Sequence, residues 1–289
     1  MGMKDYVQEP LAFDDGRLRL YSDFLSRYYG QPDLFTVEYL EWQYRDNPVG
    51  RAVGCDAFFK GELVAHVATI PLRALIFDQE EKWLLLVNAM TVPKHRRQGI
   101  SVGLADRIES LAVDLGCTFI IGIANRNSTP AYIKGRGMEW STTLDARVGM
   151  GLPRLKRDAE YPCDFKVLWD EESLAWRLKR PGTRYWRRER GDQYTLFAPS
   201  GMPGIKTILA NFPASEVDDD FPPRRRTALP LNLWIGKDAN ISWARSCFFP
   251  IPGWLRPSPL NFLFKDLSGR NRSLVHKNIF FQAVDFDAF

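Results

Sequence analysis

Hydrophobic positions along the first half of the chain switch between helical and strand-like spacing, the pattern of an α/β layer structure. Arg17 to Tyr29 has helical spacing. Thr36 to Tyr44 follows as a second helix, with Thr36 as its N-cap and Asp46-Asn47-Pro48 as its stop. Three strands are predicted next, Val53 to Phe59, Leu63 to Pro71 and Leu72 to Phe77, around a Lys60-Gly61-Glu62 turn. They form an antiparallel meander that leads into the apolar run Trp83 to Met90. That run stops at Pro93, which lacks the amide an interior strand needs. From Ser101, the residues Val102, Leu104, Ala105, Ile108, Leu111, Ala112 and Leu115 recur with helical spacing, successive members one to three residues apart, and mark one face of a helix. Thr118 to Ala124 is a further buried strand, and a parallel pairing across the intervening helix makes a right-handed crossover. Asn127 to Lys134 starts another helix, which Gly135 or Gly137 stops.

The turn Lys94-His95-Arg96-Arg97-Gln98-Gly99-Ile100-Ser101 therefore sits on a helix N-terminus. Free amides and the positive end of the helix dipole meet there, so an anion such as a pyrophosphate is the natural guest. Gly99 lets the backbone approach it closely, and four basic side chains reinforce the preference.

Composition sets limits on the rest. The 289 residues suit one large or two moderate domains, and 45% hydrophobic content supports a sizeable core. No apolar window is long enough for a membrane span, and the N-terminus MGMKDYVQEP has no signal-peptide pattern, so a cytoplasmic protein is expected. The net charge of +4 is too mild for a nucleic-acid binder. Cys55, Cys117, Cys163 and Cys247 form no metal or disulfide spacing; Cys117 reads as a small buried hydrophobe.

Gly149, Gly151 and Pro153 mark a boundary, giving domains 1–150 and 151–289. The second domain echoes the first. Glu172 to Tyr185 resembles Val37 to Gly50 in its Leu and Trp two apart, a basic residue and then Pro, and each stretch precedes a strand-like run. Asp218 to Arg226 reads as an exposed loop.

The stretch Met90 to Met138 resembles the GCN5-related N-acetyltransferase (GNAT) superfamily. The strand ending in Val-x-Pro leads there to a (Q/R)-x-x-G-x-(G/A) loop, here Arg96-Arg97-Gln98-Gly99-Ile100-Ser101, with Ser in the last position. The resemblance implies a mixed, mostly antiparallel GNAT sheet with flanking helices. It assigns the diphosphate of acetyl-coenzyme A to Arg96, Arg97, Gln98, Gly99, Ile100 and Ser101, and the pantetheine arm to the backbone of Met90 and Val92. Asn127 falls where the family's Asn contacts pantetheine or orders the loop. Tyr132 stands one residue from the position of the family's proton-donating Tyr, a rotation of about 100 degrees on a helix. The second half resembles larger members with a degenerate GNAT-like second domain, some from polysaccharide biosynthesis. After residue 150 there is no second loop of this kind.

The expected activity is acyl transfer from coenzyme A to a small-molecule amine by direct attack in a ternary complex. An amino sugar or sugar nucleotide is the first acceptor, and a homo-oligomer is compatible with the fold. Catalytic candidates are His66, in an apolar strand where a core histidine with a backbone partner is the competing reading; Asn88, which offers only a hydrogen bond; and Tyr132. Strand amides near Met90 are candidates to hold the oxyanion, and His95 reads as an anion contact. Arg180, Arg184, Arg187, Arg188 and Arg190 read as a solvated face or a clamp for an anionic acceptor. Trp254 reads as interface packing or a sugar-stacking platform. The rival class is a non-catalytic protein that binds coenzyme A or a partner.

Overall fold

Helix α1 (Asp15–Tyr29) begins where the Asp14 side chain accepts the Arg17 amide and ends at Gly30, whose φ of 69° suits a residue without Cβ. Its buried residues Leu18, Tyr21, Phe24 and Leu25 share one face. The computed structural model describes residues 6–154, 156, 163–190, 193–213, 231–256 and 258–286, so the Asp218–Arg226 stretch lies outside the described residues. Thr36 caps α2 (Val37–Leu40) through the Tyr39 amide, as its sequence predicts. The chain then opens into a π-helical turn, Glu41–Arg45, instead of continuing as α-helix to Tyr44. Periodicity alone cannot reveal this wider turn, which leaves Trp42, Gln43 and Tyr44 all buried.

Four strands form the antiparallel meander: β1 (Val7–Pro10), β2 (Val53–Phe59), β3 (Glu62–Ile76) and β4 (Gln79–Thr91). The expected break at Pro71 does not occur. Pairing with β2 ends at Thr69 and pairing with β8 (Phe165–Leu168) begins at Arg73, so the proline lies in a gap where no amide is needed. Helix α3 (Ile100–Asp114) carries the chain to β5 (Cys117–Ala124), which is parallel to β4. Helix α4 (Thr129–Arg136) ends at Gly137, with φ 62°.

The remaining elements are β6 (Glu139–Thr143), β7 (Asp145–Met150), α5 (Glu171–Arg177), β9 (Trp186–Arg190), β10 (Gln193–Pro199), β11 (Ile205–Pro213), β12 (Leu231–Lys237), β13 (Phe248–Pro250), β14 (Asn261–Asp266) and β15 (Ile279–Gln282). The described strands hydrogen-bond into one continuous sheet, whose main path runs β6-β14-β5-β4-β3-β8-β15-β12-β11-β10-β9. A clean division at residue 150 does not describe this sheet. Strand β7 pairs with β12, while β14 is inserted between β5 and β6. Its Phe262, together with Phe165 and Phe281, joins Trp83 and Phe119 in one aromatic core. Each such ring contributes about 1.5–3 kcal/mol by burial, so the later half is needed to complete the earlier one. Among the described residues, no helix is long and apolar enough to cross a membrane.

The internal echo has a structural counterpart. Trp42 and Trp176 stack at 5.2 Å and 19°. Each donates its Nε1–H to the other's carbonyl oxygen, both at 2.7 Å. Such reciprocity is what a two-fold relation between equivalent segments produces.

Candidate functional site

The parallel pairing of β4 with β5 stops at Leu86 and Gly122. Beyond that point β4 stays on β3 as far as Thr91, and β5 stays on β14 as far as Ala124. The two strands therefore diverge into a wedge, with the Arg96–Ser101 loop and the start of α3 beyond the end of β4. Arg97 (φ 62°) and Gly99 (φ 77°) both take left-handed backbone conformations, and Gly99 caps α3. Among the described residues, no acceptor takes the amides of Arg97, Gln98, Gly99, Ile100 or Ser101. Consecutive open amides at a helix start form a concave donor site for an anion.

The loop side chains are more committed than their composition suggests. Gln98 Oε1 accepts from the Tyr6 hydroxyl at 2.7 Å, and the same hydroxyl lies 3.0 Å from His95 Nδ1. His95 is buried against Phe59 and Tyr6, so it is a packing residue and not the expected anion contact. Arg96 folds back along β4 and donates from Nε to the Thr91 carbonyl at 3.0 Å. Arg97 is exposed.

The backbone of β4 corrects the expected pantetheine contacts. Val92 N–H donates to the Val64 carbonyl at 2.9 Å and so faces β3. Successive residues in a strand point their polar groups to opposite edges. Met90, in register with His66, therefore also faces β3, and neither residue offers its amide to the wedge. Ala89 and Thr91 do face it. The Tyr29 hydroxyl accepts from Ala89 N–H at 3.3 Å and donates to Ala89 O at 3.1 Å. Burial pushes the Tyr29 phenol up to about 12, and nearby Tyr132 adds to the shift. Tyr29 was not legible as a site residue, since it is the last residue of an ordinary amphipathic helix.

His66 and Asn88 belong to one buried hydrogen-bond chain behind the wedge. Asp56 Oδ1 lies 2.8 Å from His66 Nδ1, and Asp56 Oδ2 accepts from the Tyr21 hydroxyl at 2.6 Å. His66 Nε2 lies 2.9 Å from the Tyr44 hydroxyl. Asn88 Nδ2 donates to that hydroxyl at 2.7 Å and to Gln43 Oε1 at 2.8 Å. Because Asn88 supplies a proton to the Tyr44 oxygen, the Tyr44 proton is directed to His66 Nε2, and the imidazole donates from Nδ1 to Asp56. Both ring nitrogens are thus taken, and the side chain is 0% exposed, so His66 is a locked link and not an open base. Its partners are side chains and not the backbone partner expected. The π-helical turn supplies two members, Gln43 and Tyr44. Asp56 was detectable: a lone carboxylate in an apolar strand, directly opposite His66 across the predicted hairpin.

On the other wall, Asn125 orders the loop expected of Asn127. Its Oδ1 accepts the amides of Asn127 and Ser128, both at 2.9 Å, while Asn127 contributes its backbone. Tyr132 is half-buried beneath the Arg136 guanidinium at 4.7 Å, and Arg136 donates to Ser101 Oγ at 3.0 Å. Burial raises the Tyr132 phenol. Ile133, at the position where the resemblance puts the tyrosine, is exposed.

The arginine-rich stretch is neither a solvated face nor one clamp. Arg180 and Arg187 are buried over the rings of Tyr39 and Tyr194, while Arg184 and Arg188 are exposed; of Arg190 only the backbone is described. Trp254 is 82% exposed, so it does not pack a domain interface within the chain. Its loop is tied to the Asn125 corner by the Arg126 amide, which donates to Ser258 Oγ at 2.8 Å.

Residues 17–138 match the model of the acetyltransferase (GNAT) family. A sequence comparison with curated proteins finds no match. Among solved structures, the chain is similar to a protein of unknown function, a probable N-acyltransferase, from Enterococcus faecalis V583 (TM-score 0.60, 10% identity, 91% of this chain and 73% of that one). It is also similar to Eis1 from Mycobacterium abscessus (0.58, 12%, 91% and 73%). A tandem GNAT protein from the clavulanic acid biosynthesis pathway matches along nearly its whole length (0.54, 11%, 91% and 98%). At these identities the likeness establishes a fold: mixed α/β, with the GNAT sheet.

Proposed function

With residues 17–138 matching the GNAT family model and the chain as a whole carrying a GNAT-like fold, we propose that this chain is a GNAT-superfamily protein that moves an acetyl or other short acyl group from coenzyme A to an amine. The observation that carries this reading is the row of open amides from Arg97 to Ser101 beside the β4/β5 wedge. The site fits acetyl-coenzyme A on two counts. The amides and the exposed Arg97 suit its diphosphate, and the Thr91 polar groups on the open edge of β4 suit its pantetheine amides, leaving the Ala89 N–H for the acyl end. Tyr29 and Arg96 now cap that edge and must give way.

Bound there, acetyl-coenzyme A supplies an activated acyl thioester. The chain's contribution is to hold it against the acceptor, since proximity accounts for much of such a rate, and to point the Ala89 N–H at the carbonyl oxygen. As the C–N bond forms and the C–S bond breaks, the amine gives up a proton and the thiolate gains one. Tyr132, kept in its acid form by burial, is the donor we assign to the thiolate. Neither His66 nor Asn88 has a free lone pair that can take the amine's proton, so we assign that step to water at the wedge mouth.

The acceptor we place first is an amino sugar, free or on a nucleotide. Trp254 supports it, because its exposed ring on a loop tied to the wedge corner suits stacking on a sugar face. The inward turn of Arg180 and Arg187 weakens the case for a phosphate clamp. The test is a free-thiol release assay with acetyl-coenzyme A over a panel of amino sugars, polyamines and lysine peptides. Thiol release dependent on one amine class is the expected result. Tight binding of coenzyme A without turnover on any amine favours the non-catalytic reading.

A further inference from the structure

An interior strand edge without a neighbour leaves amides and carbonyls that need partners. On β4 the chain supplies them itself, from Arg96 at Thr91 and from Tyr29 at Ala89. The two capping groups differ in kind. Arg96 comes from the adjacent loop, whereas Tyr29 reaches in from the end of α1, a helix on a separate part of the chain. Its hydroxyl oxygen lies within 3.3 Å of both polar atoms of Ala89, where a carbonyl oxygen accepting that amide must sit.

We propose that Tyr29 is a catalytic residue with two successive positions: its hydroxyl holds the Ala89 amide in the unliganded protein, yields it to the acyl carbonyl oxygen, and then donates to that same oxygen. The proposal rests on reading the wedge as the acyl-donor site. Three features make the exchange feasible. Tyr29 is 39% exposed, so its ring can shift without opening the core. One face stacks on Phe35 at 5.2 Å and 28°, which limits the shift to a short swing and keeps the hydroxyl near the edge. Gly30, in the left-handed conformation directly after it, ends the helix and leaves no following turn to pin the side chain.

The Tyr29 hydroxyl can act again after displacement. Burial keeps the Tyr29 oxygen protonated throughout the neutral range, so it still has a hydrogen to give. Once the carbonyl oxygen takes the Ala89 amide, the hydroxyl can turn its hydrogen from Ala89 O, now 3.1 Å away, to that oxygen. An amide and a phenol on one oxygen form a two-donor site that strengthens as negative charge develops. Tyr132 cannot take this part, because its ring is held under Arg136 and that guanidinium is fixed to Ser101.

The experiment is Tyr29→Phe in the full chain, with three readouts: calorimetric affinity for acetyl-coenzyme A, kcat for thiol release with the best amine, and melting temperature. Phenylalanine keeps the stack on Phe35 and removes both roles of the hydroxyl. Acetyl-coenzyme A should bind about fivefold more tightly, since roughly 1 kcal/mol of competing hydrogen bonding is gone. By contrast, kcat should fall about 100-fold, the usual loss for one oxyanion donor. A capping role alone would raise affinity and leave kcat unchanged, and a merely structural role would lower affinity and melting temperature together; either result overturns the proposal. Failure of the wild-type protein to bind coenzyme A overturns the donor-site reading and this proposal with it. Binding by wild type, with Tyr29→Phe unchanged in both constants, overturns this proposal alone.

Discussion

Trp42→Phe tests whether the two echoing segments hold the chain together as one cooperative unit. The substitution removes the Nε1–H that donates to the Trp176 carbonyl and leaves that oxygen buried without its 2.7 Å partner. The Trp176 oxygen keeps the Lys179 amide at 3.0 Å, so the loss is that of one buried hydrogen bond, about 0.5–1.5 kcal/mol. The stacked pair, at 5.2 Å and 19°, adds about 0.5–1.5 kcal/mol that a phenyl ring only partly recovers. The Arg177 guanidinium, 5.5 Å from the Trp42 ring, loses a share of its cation–π contact as well. Together these give a loss of about 1–3 kcal/mol. Trp176→Phe removes the mirror-image bond and should cost nearly the same. The double variant should depart from additivity by about 0.5–1.5 kcal/mol, because the stack can be lost only once. Urea unfolding followed by far-UV circular dichroism measures all four proteins. A loss below about 0.5 kcal/mol, or two separate transitions of which only one moves, would refute the idea of a reciprocal clamp between segments.

Burial raises the Asp285 carboxyl to about 7 despite hydrogen bonds from the Gln282 amide and Trp169 Nε1 and the nearby Arg177. Its folded pKa exceeds its unfolded value near 3.8, so the folded state holds this proton more tightly. Stability is fully present below about pH 4 and is lost as pH rises to about 7, by an amount on the order of 4 kcal/mol. Asp285→Asn should remove that slope; urea midpoints at pH 5 and pH 8 that fall equally in both proteins would contradict it. Asp56→Asn weakens two bonds to a buried carboxylate, from Tyr21 and His66, at a cost of about 1.5–3 kcal/mol. Because the chain from Asp56 passes through Asn88, next to Ala89, the same variant should also lower acyl-transfer rate more than coenzyme A affinity. Unchanged kinetics at reduced stability would make this chain purely structural.

The elements nearest the wedge were the most legible, because local chemistry dictates them. A strand stopped by Pro93, a glycine at a left-handed position and an apolar helical stripe need no tertiary information. What was not legible depends on contacts between distant residues. Pro71 reads as a break until the gap between β2 and β8 beside it is known. The choice between Met90 and Ala89 as the residues facing the wedge depends on the parity of one ladder, which a single bulge can reverse. Strand β14 enters the earlier part of the sheet from more than a hundred residues away, so no boundary in composition could mark it. Loop ordering passes from Asn127 to Asn125 for a similar reason, since either asparagine can order a turn two residues long.

The most direct test is calorimetric titration of acetyl-coenzyme A into the wild-type chain and into Arg97→Glu. If the Arg97–Ser101 amides hold the diphosphate, wild type binds with one site per chain, and the exposed reversed charge weakens binding at least tenfold, more at low salt than at high. Equal affinities for the two proteins, or no binding by wild type, would contradict the assignment of this loop and of the acyl donor it is taken to hold.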